Sequence, residues 1–155
     1  MLRAATPADV DGILTLIHDN ADHLLVRSPA ELAQLIDSFR VIEEDGEIVG
    51  CCCLEVYSPK IAELRSLAVR ADRRGRGYGA QLAQAAVDEA RRLAIPQVLV
   101  VTSNREFFER LNFGPCLDEK YALFWNAPEL PADRFGSAGE SHRAAAEADA
   151  AGEGP

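Results

Sequence analysis

Arg70-Ala71-Asp72-Arg73-Arg74-Gly75-Arg76-Gly77-Tyr78-Gly79 is the stretch on which the reading of this chain turns. Glycines stand at positions 75, 77 and 79, with Arg73, Arg74 and Arg76 among them. Glycine lets a backbone approach a ligand closely, and the first N–H groups of a helix have no partner within it. A strand before this loop and a helix after it would make it a cradle for a phosphate or pyrophosphate, to which the arginines add charge. A solvated turn with glycine as filler is the bland alternative, and it leaves the arginines without a reason. The loop is not G-x-x-x-x-G-K-[ST], and its glycines fall as G-x-G-x-G and not G-x-G-x-x-G. A nucleotide hydrolase and a dinucleotide-dependent dehydrogenase are both poor fits.

Both flanks are in place. Ile61 to Val69 reads as a strand. Leu82, Ala86, Ala90 and Leu93 fall on one face of a helix that opens at Gly77 and ends before Pro96. Gln97 to Thr102 is a β-branched run of the kind found in buried strands, and Glu106 to Leu111 a short helix closed by Asn112, which tolerates a left-handed conformation. Lys120 to Trp125 is a last candidate strand.

Upstream, Thr6-Pro7-Ala8-Asp9 starts a helix over 7–19 with Val10, Ile13, Leu14 and Ile17 on its apolar face. Ser28-Pro29-Ala30-Glu31 repeats the device before Leu32, Leu35, Ile36 and Phe39. Val41 to Glu43, the turn Asp45-Gly46, and Ile48 to Tyr57 have the pattern of a β-hairpin. The order is β-α-α-β-β-β-α-β-α-β without internal repeat, an α/β chain with a mixed sheet.

The chain has 155 residues, 48% hydrophobic and 26% charged, which suits one globular domain with one site. That domain is expected over 1–126. Residues 127–155 lose apolar periodicity and turn to Ala, Gly, Glu and Pro, a composition expected to be mostly disordered, with a short helix around 141–151. The net charge is −9. Such an acidic chain is a poor binder of nucleic acid or anionic membrane, so an anionic ligand needs a local basic patch. No long apolar run or signal-peptide core is present, and the expected location is the cytoplasm. Cys51, Cys52, Cys53 and Cys116 show no metal-ligand spacing, so the three adjacent cysteines are expected as small buried side chains and no metal site is expected.

Three segments together resemble the GNAT superfamily of N-acetyltransferases over about residues 1–125. Arg74-Gly75-Arg76-Gly77-Tyr78-Gly79 fits [QR]-x-x-G-x-[GA], that family's acyl-CoA pyrophosphate loop. Ala62 to Val69 resembles its central strand, and Phe107-Phe108-Glu109-Arg110-Leu111-Asn112-Phe113 its closing F-[YF]-E-x-x-G-F signature. The resemblance implies a GNAT fold with acetyl-CoA as cosubstrate. Arg74, Gly75, Arg76, Gly77, Tyr78, Gly79 and Ala80 would hold the pyrophosphate, and Leu67, Ala68 and Val69 would pair their backbone with the pantetheine arm. Many members have a tyrosine general acid at the position of Phe108, and that hydroxyl is missing here. Tyr121 or water is left for the leaving thiolate.

Leu25-Val26-Arg27-Ser28, Gly50-Cys51-Cys52-Cys53-Leu54 and Lys60-Ile61-Ala62-Glu63 look like the acetyltransferase domain of N-acetylglutamate synthases. The activity this implies is acetylation of the α-amino group of a free amino acid, first of all L-glutamate, at the entry to arginine synthesis. An α-amino group is mostly protonated at neutral pH, so a base must take its proton. Glu63 is the candidate, at the place where histone acetyltransferases of the superfamily carry theirs. A salt bridge to Arg65, on the same strand face, is its plain structural alternative. Arg27 and Lys60 match basic positions that bind glutamate in the synthases, and a backbone N–H near Leu67 or Ala68 would hold the oxyanion. Other acceptors (glutamine, a protein amino terminus, a lysine, a small amine) stay open, as do a non-catalytic CoA-binding module and a homodimer.

Overall fold

The computed structural model describes residues 1–115. Residues 116–155, which include Cys116, Tyr121, the expected strand at 120–125 and the expected tail, lie outside the described residues. Five strands form one sheet in chain order: β1 (Leu2–Ala4), β2 (Phe39–Glu44), β3 (Glu47–Ser58), β4 (Ile61–Val69) and β5 (Gln97–Leu99). The first four are antiparallel neighbours, and β5 runs parallel to β4. The helices are α1 (Val10–His18), α2 (Pro29–Leu35), α3 (Tyr78–Arg92) and α4 (Arg105–Glu109). None among the described residues is long and apolar enough to cross a membrane.

Two apolar cores flank the sheet. Leu82, Ala83, Ala86 and Ala90 of α3 pack on Ile42, Cys52, Leu54, Ala62 and Leu64. Ile13, Leu16 and Ile17 of α1 and Leu32 of α2 pack with Phe39, Val41, Cys51 and Cys53. Fully burying one such leucine or isoleucine stabilises by about 1.5–3 kcal/mol. The cysteine run obeys strand alternation, with Cys51 and Cys53 in one core and Cys52 in the other. All three thiols are free and buried, and burial pushes Cys52 and Cys53 up to about 12. They act as small apolar side chains.

Local signals in the sequence behave as their chemistry requires. Asp45 and Gly46 both have positive φ and close the β2–β3 hairpin. Ser28 caps α2, its hydroxyl accepting from the Glu31 N–H. Asn112, at φ +63°, ends the turn after α4, and the Phe113 N–H reaches back to the Phe108 carbonyl.

Three expectations need correction. The first turn of the first helix, Pro7–Asp9, is 3₁₀, and the α-helix begins only at Val10. The Asp9 N–H bonds the Thr6 carbonyl, while its side chain accepts from the Thr6 N–H and hydroxyl, which keeps that turn tight. Leu93 lies past the end of α3 and is exposed, since Ala94 turns left-handed and sends Ile95 into the core instead. The run 97–102 is not a buried strand: only Gln97–Leu99 pair, and Val101 is exposed. Its β4 partners are Ile61, Ala62 and Glu63, after which the two strands part.

That parting positions the site. From Leu64 to Val69, β4 has β3 on one edge and no strand on the other among the described residues. In the same span β4 carries a bulge: Cys51 faces Ala68 while Cys53 faces Arg65, so Cys52 stands opposite Ser66 and Leu67. Ser66 absorbs the extra residue at φ +51°. Before the bulge Ala62 and Leu64 face the α3 core; after it Leu67 and Val69 do, and Ala68 joins the α1 core.

Candidate active site

The loop after β4 has the geometry of an anion cradle. A 3₁₀ turn (Ala71–Arg73) and an extended Arg74 lead to Gly75 at φ +77° and to Gly77 at φ +80°, the residue that opens α3. Side chains resist both conformations, and a Cβ at either glycine would meet nothing within 4 Å. These two glycines serve the backbone path. Gly79 serves packing, since a Cβ there would stand 3.3 Å from the Phe107 ring.

Helix α3 starts with no side chain bonded to its free N–H groups and no acid in its first turn. Those amides, on Tyr78, Gly79 and Ala80, are left for an anion. The residues present fit an acyl-CoA pyrophosphate.

The loop's arginines divide their duties. Arg73 is spent on the protein itself, bonding Glu44 at 2.8 Å and Asp72 at 2.6 Å. Arg74 ties the loop down through the Val69 carbonyl (3.2 Å) and Asn20 (2.7 Å). Arg76 is half exposed, 4.0 Å from Glu44 and beside the Tyr78 hydroxyl, and of the three it has the loosest ties to the protein and most room to meet an anion. Glu44 also accepts from the Tyr78 hydroxyl. That bond, with Arg73 and Arg76 beside it, holds the Glu44 carboxyl below its usual range. The role of Glu44 could not be read from sequence, because it depends on the β2–β3 hairpin lying against a loop about thirty residues later.

A second group of polar side chains lies on the other face of β3 and β4, around the bulge. Glu55 and Glu63 are directly opposed in the antiparallel register. Two acids so placed repel, and basic neighbours relieve them. Arg27, from the segment before α2, donates to Glu55 and, through Nε, to Ser66 Oγ at 3.0 Å. Arg65 stands between the acids, 3.4 Å from Glu55 and 3.9 Å from Glu63. The Tyr57 hydroxyl donates to Glu63, and desolvation together with the Glu63 carboxylate pushes that phenol up to about 12. Arg27, Glu55 and Glu63 are largely buried, with side chains 10%, 14% and 15% exposed.

Glu63, Arg27 and the bulge at Ser66–Leu67 therefore come together, and the Glu63–Arg65 contact is present. Lys60 does not join them. It is exposed on the β3–β4 turn, three residues before Glu63 and six before Ser66, and its side chain bonds none of them. Tyr57, Glu55 and Ser66 were missed in the sequence. The hairpin pairing carried a signal for two of them, since Tyr57 and Glu55 alternate on the strand face that meets Glu63. Phe108 is buried edge-on between Phe107 and Phe113, at centroid distances of 4.9 and 5.4 Å.

A glycine-rich cradle at the start of a helix stands beside a strand whose edge opens where its neighbour parts, an arrangement that fits an acyl-CoA. The chain belongs to the Acetyltransferase (GNAT) family, whose profile matches residues 16–113. It is 36% identical over 117 residues to an amino-acid acetyltransferase of Aeromonas salmonicida, covering 73% of this chain and 26% of that protein. The chain thus spans about a quarter of that relative's length. The fold resembles Rv2747 from Mycobacterium tuberculosis, solved in complex with CoA and NLQ, at a TM-score of 0.71 and 28% identity, covering 86% of this chain and 78% of the other. It also resembles N-acetylglutamate synthase from Neisseria gonorrhoeae, complexed with coenzyme A and N-acetyl-glutamate, at a TM-score of 0.72 and 26% identity. That match covers 94% of this chain and 32% of the synthase.

Proposed function

We propose that this protein transfers the acetyl group of acetyl-CoA to the α-amino group of a free amino acid, by direct attack in a ternary complex. The observation that carries this is the inward-turned pair Arg27 and Arg65 beside Glu63 at the β4 bulge. A guanidinium fork matches a carboxylate, and a free amino acid presents one next to its amine, whereas an acceptor within a peptide does not. The relative named amino-acid acetyltransferase supports the same acceptor class.

In this reading Glu63 takes the proton of the incoming ammonium, leaving the lone pair that attacks the thioester. Tyr57 and Arg65 hold the Glu63 carboxylate in one orientation. A backbone N–H near Leu67 or Ala68, where the bulge interrupts the ladder, receives the developing oxyanion. The open edge of Leu67, Ala68 and Val69 pairs with the pantetheine arm, and the amides from Gly77 to Ala80 hold the pyrophosphate with Arg76. With Phe108 in the core, the leaving thiolate is protonated by another group. L-glutamate is the first acceptor to test, and with it the reaction would stand at the entry to arginine synthesis, in the cytoplasm.

The test is acetyl-CoA turnover, read as thiol release, against the twenty amino acids and a set of peptides with free amino termini. At least one free amino acid should exceed every peptide. Peptides that outcompete all free amino acids would overturn the proposal.

A further inference from the structure

Arg27 is the anchor for an acceptor carboxylate, yet it already holds a carboxylate of the protein's own. Its Nη2 donates to Glu55 and its Nε to Ser66, so two of its three nitrogens are committed and Nη1 is left. The other oxygen of Glu55 faces Arg65 Nη1 at 3.4 Å. Glu55 therefore bridges both guanidinium groups, one through each oxygen, while its side chain is only 14% exposed. The four ionic groups around the bulge, Arg27, Arg65, Glu55 and Glu63, balance in charge before any substrate arrives.

An amino acid attacking through its neutral amine brings one negative charge on its α-carboxylate, and the remaining edge of Arg27 can receive it. A dicarboxylic amino acid brings a second. That second group would lie only three carbons from the first, on a face where Glu55 already occupies both Arg27 and Arg65. Lys60, the other basic candidate, is exposed on the turn and bonds none of the four. Unmatched like charge in a partly desolvated site is costly, and a site discriminates by such repulsion as much as by attraction.

We infer that Glu55 is the specificity-determining residue of the acceptor site, standing where a substrate's second carboxylate would otherwise bind and directing the enzyme to amino acids with a single carboxylate. This rests on the amino-acid reading above. Glutamine and glutamate differ by one oxygen-for-nitrogen exchange, and their ratio isolates the charge.

The experiment measures kcat/KM for glutamate and glutamine with the parent protein and with Glu55→Gln, alongside thermal melts. The parent should favour glutamine by roughly tenfold or more. Glu55→Gln removes the charge at nearly constant size, and should shift the ratio of kcat/KM for glutamate to that for glutamine by about tenfold toward glutamate, whatever the change common to both substrates. A merely structural role would move both substrates together, and that result overturns the inference. A parent that favours glutamate also overturns it, and this arm stands even where the variant fails to fold. Turnover of peptides with no free amino acid accepted would overturn the amino-acid reading itself, and this inference with it.

Discussion

The C-terminal end of β4 and its middle present polar groups by different means. At its C-terminal end the strand runs into a loop whose active parts are backbone amides, exposed by two left-handed glycines and an uncapped helix. At its middle it carries side chains, Glu63, Arg65 and Ser66, joined by Arg27 and Glu55 from two other segments. The first end keeps Arg76 half exposed and loosely paired, which suits a ligand of high negative charge. The second is balanced in charge and largely buried, which suits a small zwitterion whose proton must be removed. The sheet separates the two: Glu63 and Arg65 project away from α3, while Leu67 and Val69, one bulge later, project toward it.

Substitutions aimed at one end should spare the other. The largest effect is expected from Glu63→Gln, which removes the proton acceptor and should lower turnover by roughly 10²–10⁴-fold at neutral pH, leaving the acetyl-CoA dissociation constant unchanged. Turnover within threefold of the parent across pH 6–9 would remove Glu63 from the role of base.

Next comes Gly77→Asp at the other end, which puts a side chain on a left-handed residue and a negative charge at the mouth of α3. Acetyl-CoA at a hundredfold excess over its dissociation constant should stabilise the parent by about 2.7 kcal/mol. The variant should lose that shift in melting temperature, and a full shift retained would show that the pyrophosphate binds elsewhere.

The smallest effect concerns neither end, and serves as the control. Arg3 clasps Asp9 through two bonds of 2.7 and 2.8 Å and so holds its carboxyl well below the usual range. A depressed carboxyl contributes stability above its unfolded value of about 3.9, and loses it as the pH falls through the lower folded value. Asp9→Asn should therefore cost about 1.5 kcal/mol near pH 7. The gap to the parent should close as the pH drops below 4, in thermal melts, with acetyl-CoA binding unaltered at neutral pH. A constant gap across that range would show that Asp9 does not carry the charge.

The bounds of β4, the Asp45-Gly46 turn, the Ser28 cap and the left-handed Asn112 were legible in the sequence, since each depends on residues within a few positions of one another. The cofactor loop was legible for the same reason: its glycines, arginines and following helix are contiguous, and the anion site they make is mostly backbone. Strand β5 was misread because its run of Val and Leu looks buried whether or not a neighbour stays beside it. The acceptor site lies further out of reach. Glu63 could be named from its place on β4, yet the three residues that constrain it and its neighbour Arg27, namely Tyr57, Glu55 and Ser66, meet only after the hairpin pairs and the bulge forms. Strict alternation along β4 would put Glu63, Arg65, Leu67 and Val69 on one face. The extra residue at Ser66 splits that set, keeping the acid and base together and turning the apolar pair toward α3. The sequence alone determined the family's fold and the anion cradle, because local backbone chemistry builds both; which charges face an acceptor was decided by register and by one bulge, whose cost and gain depend on three segments brought together from distant parts of the chain.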